Sequence, residues 1–140
     1  MKAILDSSFQ NWSFPVYRGD CGGESPLSKC NLNGDTVQDF ALDFTVGADS
    51  NFREYFAAFV SNDTGFSFFI LDSIEQVWRR HYYLEIFHAH TEFDDPPFLD
   101  EGDNRKSFNT DCISESMCVN NSCTVFYYEK GRFRRFSPCD

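Results

Sequence analysis

The sequence predicts a mainly β protein: an antiparallel meander closed into a sandwich or barrel-like fold, with at most one or two short helices, stapled by disulfides into a single domain over residues 1–140. Three observations carry this expectation. Apolar and polar residues alternate over Thr36–Val46, the period-two pattern of a strand with one buried face. Clusters of Gly, Asn, Asp and Ser punctuate runs of aromatic and β-branched residues, as turns punctuate strands. Six cysteines, at 21, 30, 112, 118, 123 and 139, crowd the two ends of the chain.

Within the first strand, Phe40, Leu42, Phe44 and Val46 share one parity and Asp39, Ala41, Asp43 and Thr45 the other, so one face is expected to be buried. Gly47-Ala48-Asp49-Ser50-Asn51 reads as a turn, and Phe52–Val60, with aromatics on both parities, reads as a second strand. Ser61–Gly65 turns again into Phe66–Leu71, a run long enough for a strand and too short for a helix. Ser73–Arg80 has helical character: Ser73 stands where a cap would, Gln76 follows at the third position, and Ile74, Val77 and Trp78 share a face. From His81 the β-formers return; a longer helix over 73–90, which would make the fold α+β, is the competing reading. Phe93–Met117, rich in Asp, Pro, Asn and Ser, reads as a long ordered loop. Ser122–Tyr128 and Arg132–Phe136 flank Glu129-Lys130-Gly131, a hairpin signature with glycine where a left-handed residue is wanted.

The cysteine spacings do not match zinc knuckles, which use short C-x2-C pairs. Disulfides are the expected state, with Cys21 and Cys30, which bracket the turn-rich Gly22–Pro26, as the local pair, and Cys112, Cys118, Cys123 and Cys139 tying the C-terminal region together. Such bonds imply an extracytoplasmic setting, secreted or periplasmic. Met1-Lys2-Ala3-Ile4-Leu5 opens like a signal peptide, but Asp6-Ser7-Ser8 interrupts it before an apolar core can form, so the residues read as a mature segment without a leader.

Twenty-two acids against twelve bases give a formal charge of −10, which repels phosphate polyanions at long range and argues against nucleic acid as a partner. No apolar run is long enough for a membrane helix. The acids concentrate in Glu92, Asp94, Asp95, Asp100, Glu101 and Asp103, with Phe93, Phe98 and two prolines among them. Clustered carboxylates repel one another unless something neutralises them. Calcium would do so, yet the ligand order of an EF-hand is absent, and a basic protein partner would do so equally. Four bases, Lys130, Arg132, Arg134 and Arg135, lie in the terminal hairpin and are an internal alternative for pairing.

His88-Ala89-His90 is the most chemical-looking motif, because H-x-H on a strand sets both imidazoles on one face, as metal binding requires. Phe87–Asp94 resembles the copper-ligating strand of copper/zinc superoxide dismutases and, through its H-x-H and acid, a cupin motif. The further histidines of the first and the glycines and later histidine of the second are missing, so no metal or other cofactor is expected. Arg18-Gly19-Asp20 before Cys21 is ordinary turn chemistry as well as an adhesion tripeptide. No nucleophile-elbow pattern and no glycine-rich phosphate loop are present. The expected function is therefore protein binding and not catalysis: an inhibitor or immunity-type protein against a basic secreted toxin or hydrolase. The alternatives are a secreted effector or ligand acting on a host surface receptor and, less economically, a metal-dependent enzyme built on His88 and His90. The binding residues are expected to be Glu92, Phe93, Asp94, Asp95, Phe98, Asp100, Glu101 and Asp103.

Overall fold

The structure is a computed structural model that describes residues 1–15, 25–48, 51–75, 82–94, 105–117 and 122–138. Among the described residues a short helix, α1 (Lys2–Ser8), precedes eleven strands: β1 (Trp12–Ser13), β2 (Leu27–Cys30), β3 (Asp39–Ala48), β4 (Asn51–Asn62), β5 (Gly65–Glu75), β6 (Tyr82–Phe87), β7 (Glu92–Asp94), β8 (Arg105–Ser107), β9 (Cys112–Met117), β10 (Cys123–Glu129) and β11 (Arg132–Phe136). The first sheet runs β1-β3-β4-β5, with β2 also paired to β3; the second runs β11-β10-β9-β6; β7 and β8 form a two-stranded ribbon. Every ladder is antiparallel, so the fold is mainly β and its first sheet is built on the expected β3-β4-β5 meander.

Three apolar layers hold these elements. Between the sheets, Ala41, Phe56, Ala58 and Val60 meet Leu84, Ile113 and Phe126. On the outer face of the first sheet, Leu42, Phe44, Ala57 and Phe59 receive Leu5, with Ile4, Phe9 and Trp12 around it. On the outer face of the second, Val125 and Cys112 lie under Phe93, Phe108 and Phe136. The central strands of both larger sheets are thus covered on both faces, which explains the aromatics on both parities of β4: a strand buried twice has no polar face to show.

The same layering overturns the reading of β3 as half-exposed. Asp39, Ala41, Asp43 and Thr45 face the second sheet and are buried, as are Leu42 and Phe44 on the opposite parity. Asp39 is fully buried and ionically unpaired among the described residues, yet well satisfied. Its carboxylate accepts the N–H groups of Leu32 at 2.7 Å, Asn33 at 3.3 Å and Ser61 at 2.7 Å, fastening the turn after β2 to the end of β4. Asp111 makes a similar stitch between sheets, accepting the N–H of Asn31 at 2.9 Å and of Ala89 at 2.9 Å.

Other expectations fail for identifiable reasons. Ser73–Glu75 continues β5 instead of capping a helix, and β6 occupies 82–87, so neither the short nor the long helix forms in the described part of 73–90; Gln76–Arg80 lie outside the described residues. Phe93–Met117 is not one loop, since β8 and β9 lie in it and Cys112–Met117 is buried from Cys112 through Ser116. Its polar serines hide that strand from hydropathy; the Ser114 and Ser116 hydroxyls satisfy each other at 2.8 Å. Helix α1 takes the place of the interrupted signal-peptide opening because Leu5, Ile4 and Phe9 cap the outer face of β3 and β4. The terminal hairpin forms as expected, with Lys130 at φ 52° and Gly131 at φ 82°, the two positive angles of a type I′ turn.

Cys30 corrects the expected Cys21–Cys30 bridge. It is a free, buried thiol at the end of β2, packed in the inter-sheet core beside Leu32. Burial raises its pKa most, and the neighbouring charges of Asp39 and Asp111 raise it further, so it stays protonated and unreactive. The Cys112 thiol is also buried and donates to the Thr110 carbonyl at 3.9 Å. Cys123 is disulfide-bonded; Cys21, Cys118 and Cys139 lie outside the described residues.

Two measurements follow from this packing. A thiol reagent added to the native protein is expected to leave Cys30 unlabelled and to modify it on unfolding without reductant; peptide mapping that finds Cys30 already in a disulfide would refute the free buried thiol. Asp39→Ala strands three inward N–H groups and should cost about 3–5 kcal/mol in urea unfolding, whereas a loss under about 1 kcal/mol would show that water replaces the carboxylate.

Candidate functional site

The acidic segment singled out in the sequence is carried by the β7–β8 ribbon. Glu92 pairs with Ser107, Phe93 with Lys106 and Asp94 with Arg105, so the chain from 95 to 104 joins two paired strands. Glu92 is exposed at the root of the ribbon. Phe93 is not presented to a partner: it is 7% exposed and sits edge-on against Phe87 at 5.1 Å and Phe136 at 5.4 Å. Its apolar surface fixes the ribbon to the second sheet, which corrects its assignment as an apolar binding anchor. Asp95, Phe98, Asp100, Glu101 and Asp103 lie outside the described residues, as does Arg18-Gly19-Asp20. In the terminal hairpin, Arg134 of β11 pairs across the turn with Glu129 of β10 at 2.9 Å.

The histidine pair does not sit on a strand. β6 ends at Phe87, and His88-Ala89-His90-Thr91 turns the chain toward β7. Thr91 donates from both its N–H, at 3.1 Å, and its hydroxyl, at 2.6 Å, to the His88 carbonyl. His90 takes a left-handed φ of 70° and donates its N–H to the Phe108 carbonyl at 2.7 Å. The same-face geometry expected of H-x-H on a strand is therefore absent. The His88 side chain is 84% exposed, with Nδ1 at 3.5 Å from Asp111. Among the described residues, no group of three or more His, Cys, Asp or Glu is placed to hold a metal ion.

A carboxyl cluster that the sequence reading missed lies between the sheets. Register sets Asp43 opposite Phe56 and Phe56 opposite Asp72, one row across β3, β4 and β5. Glu115, between Leu84 of β6 and Thr124 of β10, faces that row from the second sheet. It is 6% exposed, lies near enough to the Asp72 carboxyl to feel its charge, and has no partner for Oε2 among the described residues. Burial is the largest influence on its pKa; the charge and hydrogen bond of Asp72 and the charge of Asp43 add to it, Arg135 opposes, and the result is a rise from 4.5 to about 8. Burial and the neighbouring carboxylates both penalise the charged form, so Glu115 favours its neutral form at pH 7. Glu54 is buried on the same inter-sheet face. Tyr82 flanks the cluster from β6, its phenol pKa raised by burial and by the charges of Glu115 and Asp72. The signal available in the sequence was Asp43 alternating inside a strand whose neighbour is apolar on both parities, a hint that its supposed solvent face was covered.

Among the described residues, two larger antiparallel sheets thus enclose a buried carboxyl cluster, and a two-stranded ribbon joins the ends of the acidic segment. No family model matches the chain, and neither a curated protein nor a solved structure shows significant similarity to it.

The neutral Glu115 gives a signed pH dependence. Its folded pKa is raised above the ordinary value, so the folded state holds a proton that the unfolded chain releases between 4.5 and about 8, and stability from this group falls as pH rises through that window. Glu115→Gln keeps a donor toward Asp72 and cannot ionise. Relative to the native chain, the variant should gain stability steadily from pH 5 to pH 8, on the order of 3 kcal/mol at the upper end. A difference between the two that stays flat with pH would show that Glu115 is ionised in the fold.

Proposed function

We propose that the protein is a small, acidic, extracytoplasmic protein-binding domain, an inhibitor or immunity-type protein that engages a basic secreted toxin or hydrolase through the segment following β7. The observation that carries this reading is the ribbon itself. β7 and β8 hold the two ends of the acidic segment in paired register, and Phe93 roots them in the core beneath. A segment with fixed ends loses less entropy on binding than a free one. Its carboxylates, on a chain of formal charge −10, steer a basic partner into contact. The disulfide at Cys123 supports an oxidising compartment. Among the described residues no helix is long and apolar enough to cross a membrane.

The test begins with capture of partners from the source organism's secretions and from host surface extracts, followed by binding measurements on the isolated partner. Replacing Asp94, Asp95 and Asp100 by Asn and Glu101 by Gln together should weaken binding more than about tenfold, with most of the loss in a salt-sensitive association rate. The melting temperature should hardly move. Unchanged affinity with a large fall in melting temperature would assign these acids to the fold and reject the segment as the binding surface; a host receptor as the specific ligand would replace the inhibitor reading with that of an effector.

A further inference from the structure

The first sheet ends on β5, whose one strand neighbour among the described residues is β4. An edge strand exposes a row of backbone donors and acceptors, and sheets commonly blunt it by shortness, charge, proline or a bulge. The opposite side of this sheet consists of β1 and β2, two and four residues long. The edge strand β11 of the second sheet carries Arg132, Arg134 and Arg135 within five residues. β5 is different: it runs for eleven residues, has no charge or proline from Gly65 to Leu71, and bulges only at Leu71. Phe66, 36% exposed, and Ile70, 43% exposed, stand on it in the open.

The register makes this edge complementary to itself. The two-residue turn Asp63-Thr64 leaves Asn62 opposite Gly65, the closing hydrogen-bonded pair of such a hairpin. Gly65, Ser67 and Phe69 therefore bond toward β4, and Phe66, Phe68 and Ile70 direct their N–H and C=O outward. An antiparallel copy of the same edge with the dyad at Phe68 sets Phe66 opposite the partner subunit's Ile70, and Ile70 opposite the partner subunit's Phe66. All three outward residues then fall in hydrogen-bonded positions, and the two exposed side chains on one face of the strand cover their counterparts. Asp72 falls opposite a threonine and meets no acid. We infer that β5 is a homodimerisation edge, at which a second copy of this chain extends the first sheet through antiparallel β5–β5 pairing. A foreign extended peptide would satisfy the backbone equally; the reciprocal placement of Phe66 and Ile70 is what selects a second copy.

Charge gives the dimer a signature opposite to that of an acid–base complex. Two chains of formal charge −10 repel, and salt screens the repulsion, so association should strengthen with ionic strength. Sedimentation equilibrium of the intact chain, from about 5 to about 500 µM and up to about 0.5 M salt, should resolve a monomer–dimer equilibrium. Phe66→Lys with Ile70→Lys sets like charges opposite each other and should weaken it more than about tenfold; Phe66→Lys with Ile70→Glu sets opposite charges across the dyad and should restore much of the loss. Hydrogen exchange on the unmodified chain gives a second readout that does not depend on the variants folding. The amides of Phe66, Phe68 and Ile70 should become protected as concentration rises, while those of Ser67 and Phe69 are protected throughout. A monomer across the whole range, a dimer equally strong in both variants, or exchange at all five amides that ignores concentration would overturn the inference.

Discussion

The constraint on which the structure turns is that the central strands of its two larger sheets are covered on both faces. Helix α1 and its aromatic flank close one side of β3 and β4, the second sheet closes the other, and the β7–β8 ribbon closes the far side of the second sheet. An ordinary half-exposed antiparallel strand keeps one polar face and one apolar face. Here that division is unavailable to β4, so Phe56, Ala57, Ala58, Phe59 and Val60 follow one another without a polar break. One short helix suffices as a cover because Phe9 spreads its contact over Phe44 at 5.1 Å, Tyr55 at 5.4 Å and Phe68 at 6.2 Å.

Double coverage forces the acids of these strands indoors, and the fold deals with them in two physically different ways. Asp39 and Asp111 remain useful as acceptors because each faces backbone N–H groups at the turns that join the sheets, and charge-assisted bonds of that kind are among the stronger ones. Glu115 faces other carboxyls, whose charges add to burial in penalising a further negative charge, so it favours its neutral form. The first arrangement stitches loops to sheets through backbone donors. The second is conditional, since it holds only while the carboxyl remains neutral.

How much of this was legible follows from the same distinction. The meander and the terminal hairpin could be read because their turn residues and β-formers act locally: Lys130-Gly131 adopts the turn that glycine at that place announces. β9 could not be read, because Ser114, Glu115 and Ser116 are polar residues whose burial is decided by strands far away in the chain. The direction of Asp43 was misjudged for that reason too; alternation identifies two faces but not which of them a distant sheet will cover. The acidic segment was visible as composition, whereas its mounting on a ribbon depended on Phe93, whose inward role composition cannot distinguish from that of an exposed anchor. The H-x-H motif shows the converse error: its spacing implied shared facing only if the strand continued, and β6 stops at Phe87.

The distribution of acids also limits what the formal charge can mean for recognition. Asp39, Asp43, Glu54 and Glu115 are buried, so none of them can meet a partner's base in direct contact, and Glu115, with its pKa raised to about 8, adds little to the long-range field at pH 7. Contact electrostatics must come from the exposed acids. Steering, by contrast, depends on the sum over all ionised groups and falls off within roughly a Debye length of about 10 Å in moderate salt. A partner would therefore be drawn by the whole molecule but held only where acids are presented, and of the acidic positions picked out in the sequence Glu92 and Asp94 lie on the β7–β8 ribbon. A partner that bound elsewhere would share the salt dependence of the on-rate and lose the dependence of its lifetime on those side chains, because k_on reports the summed field and k_off the contacts.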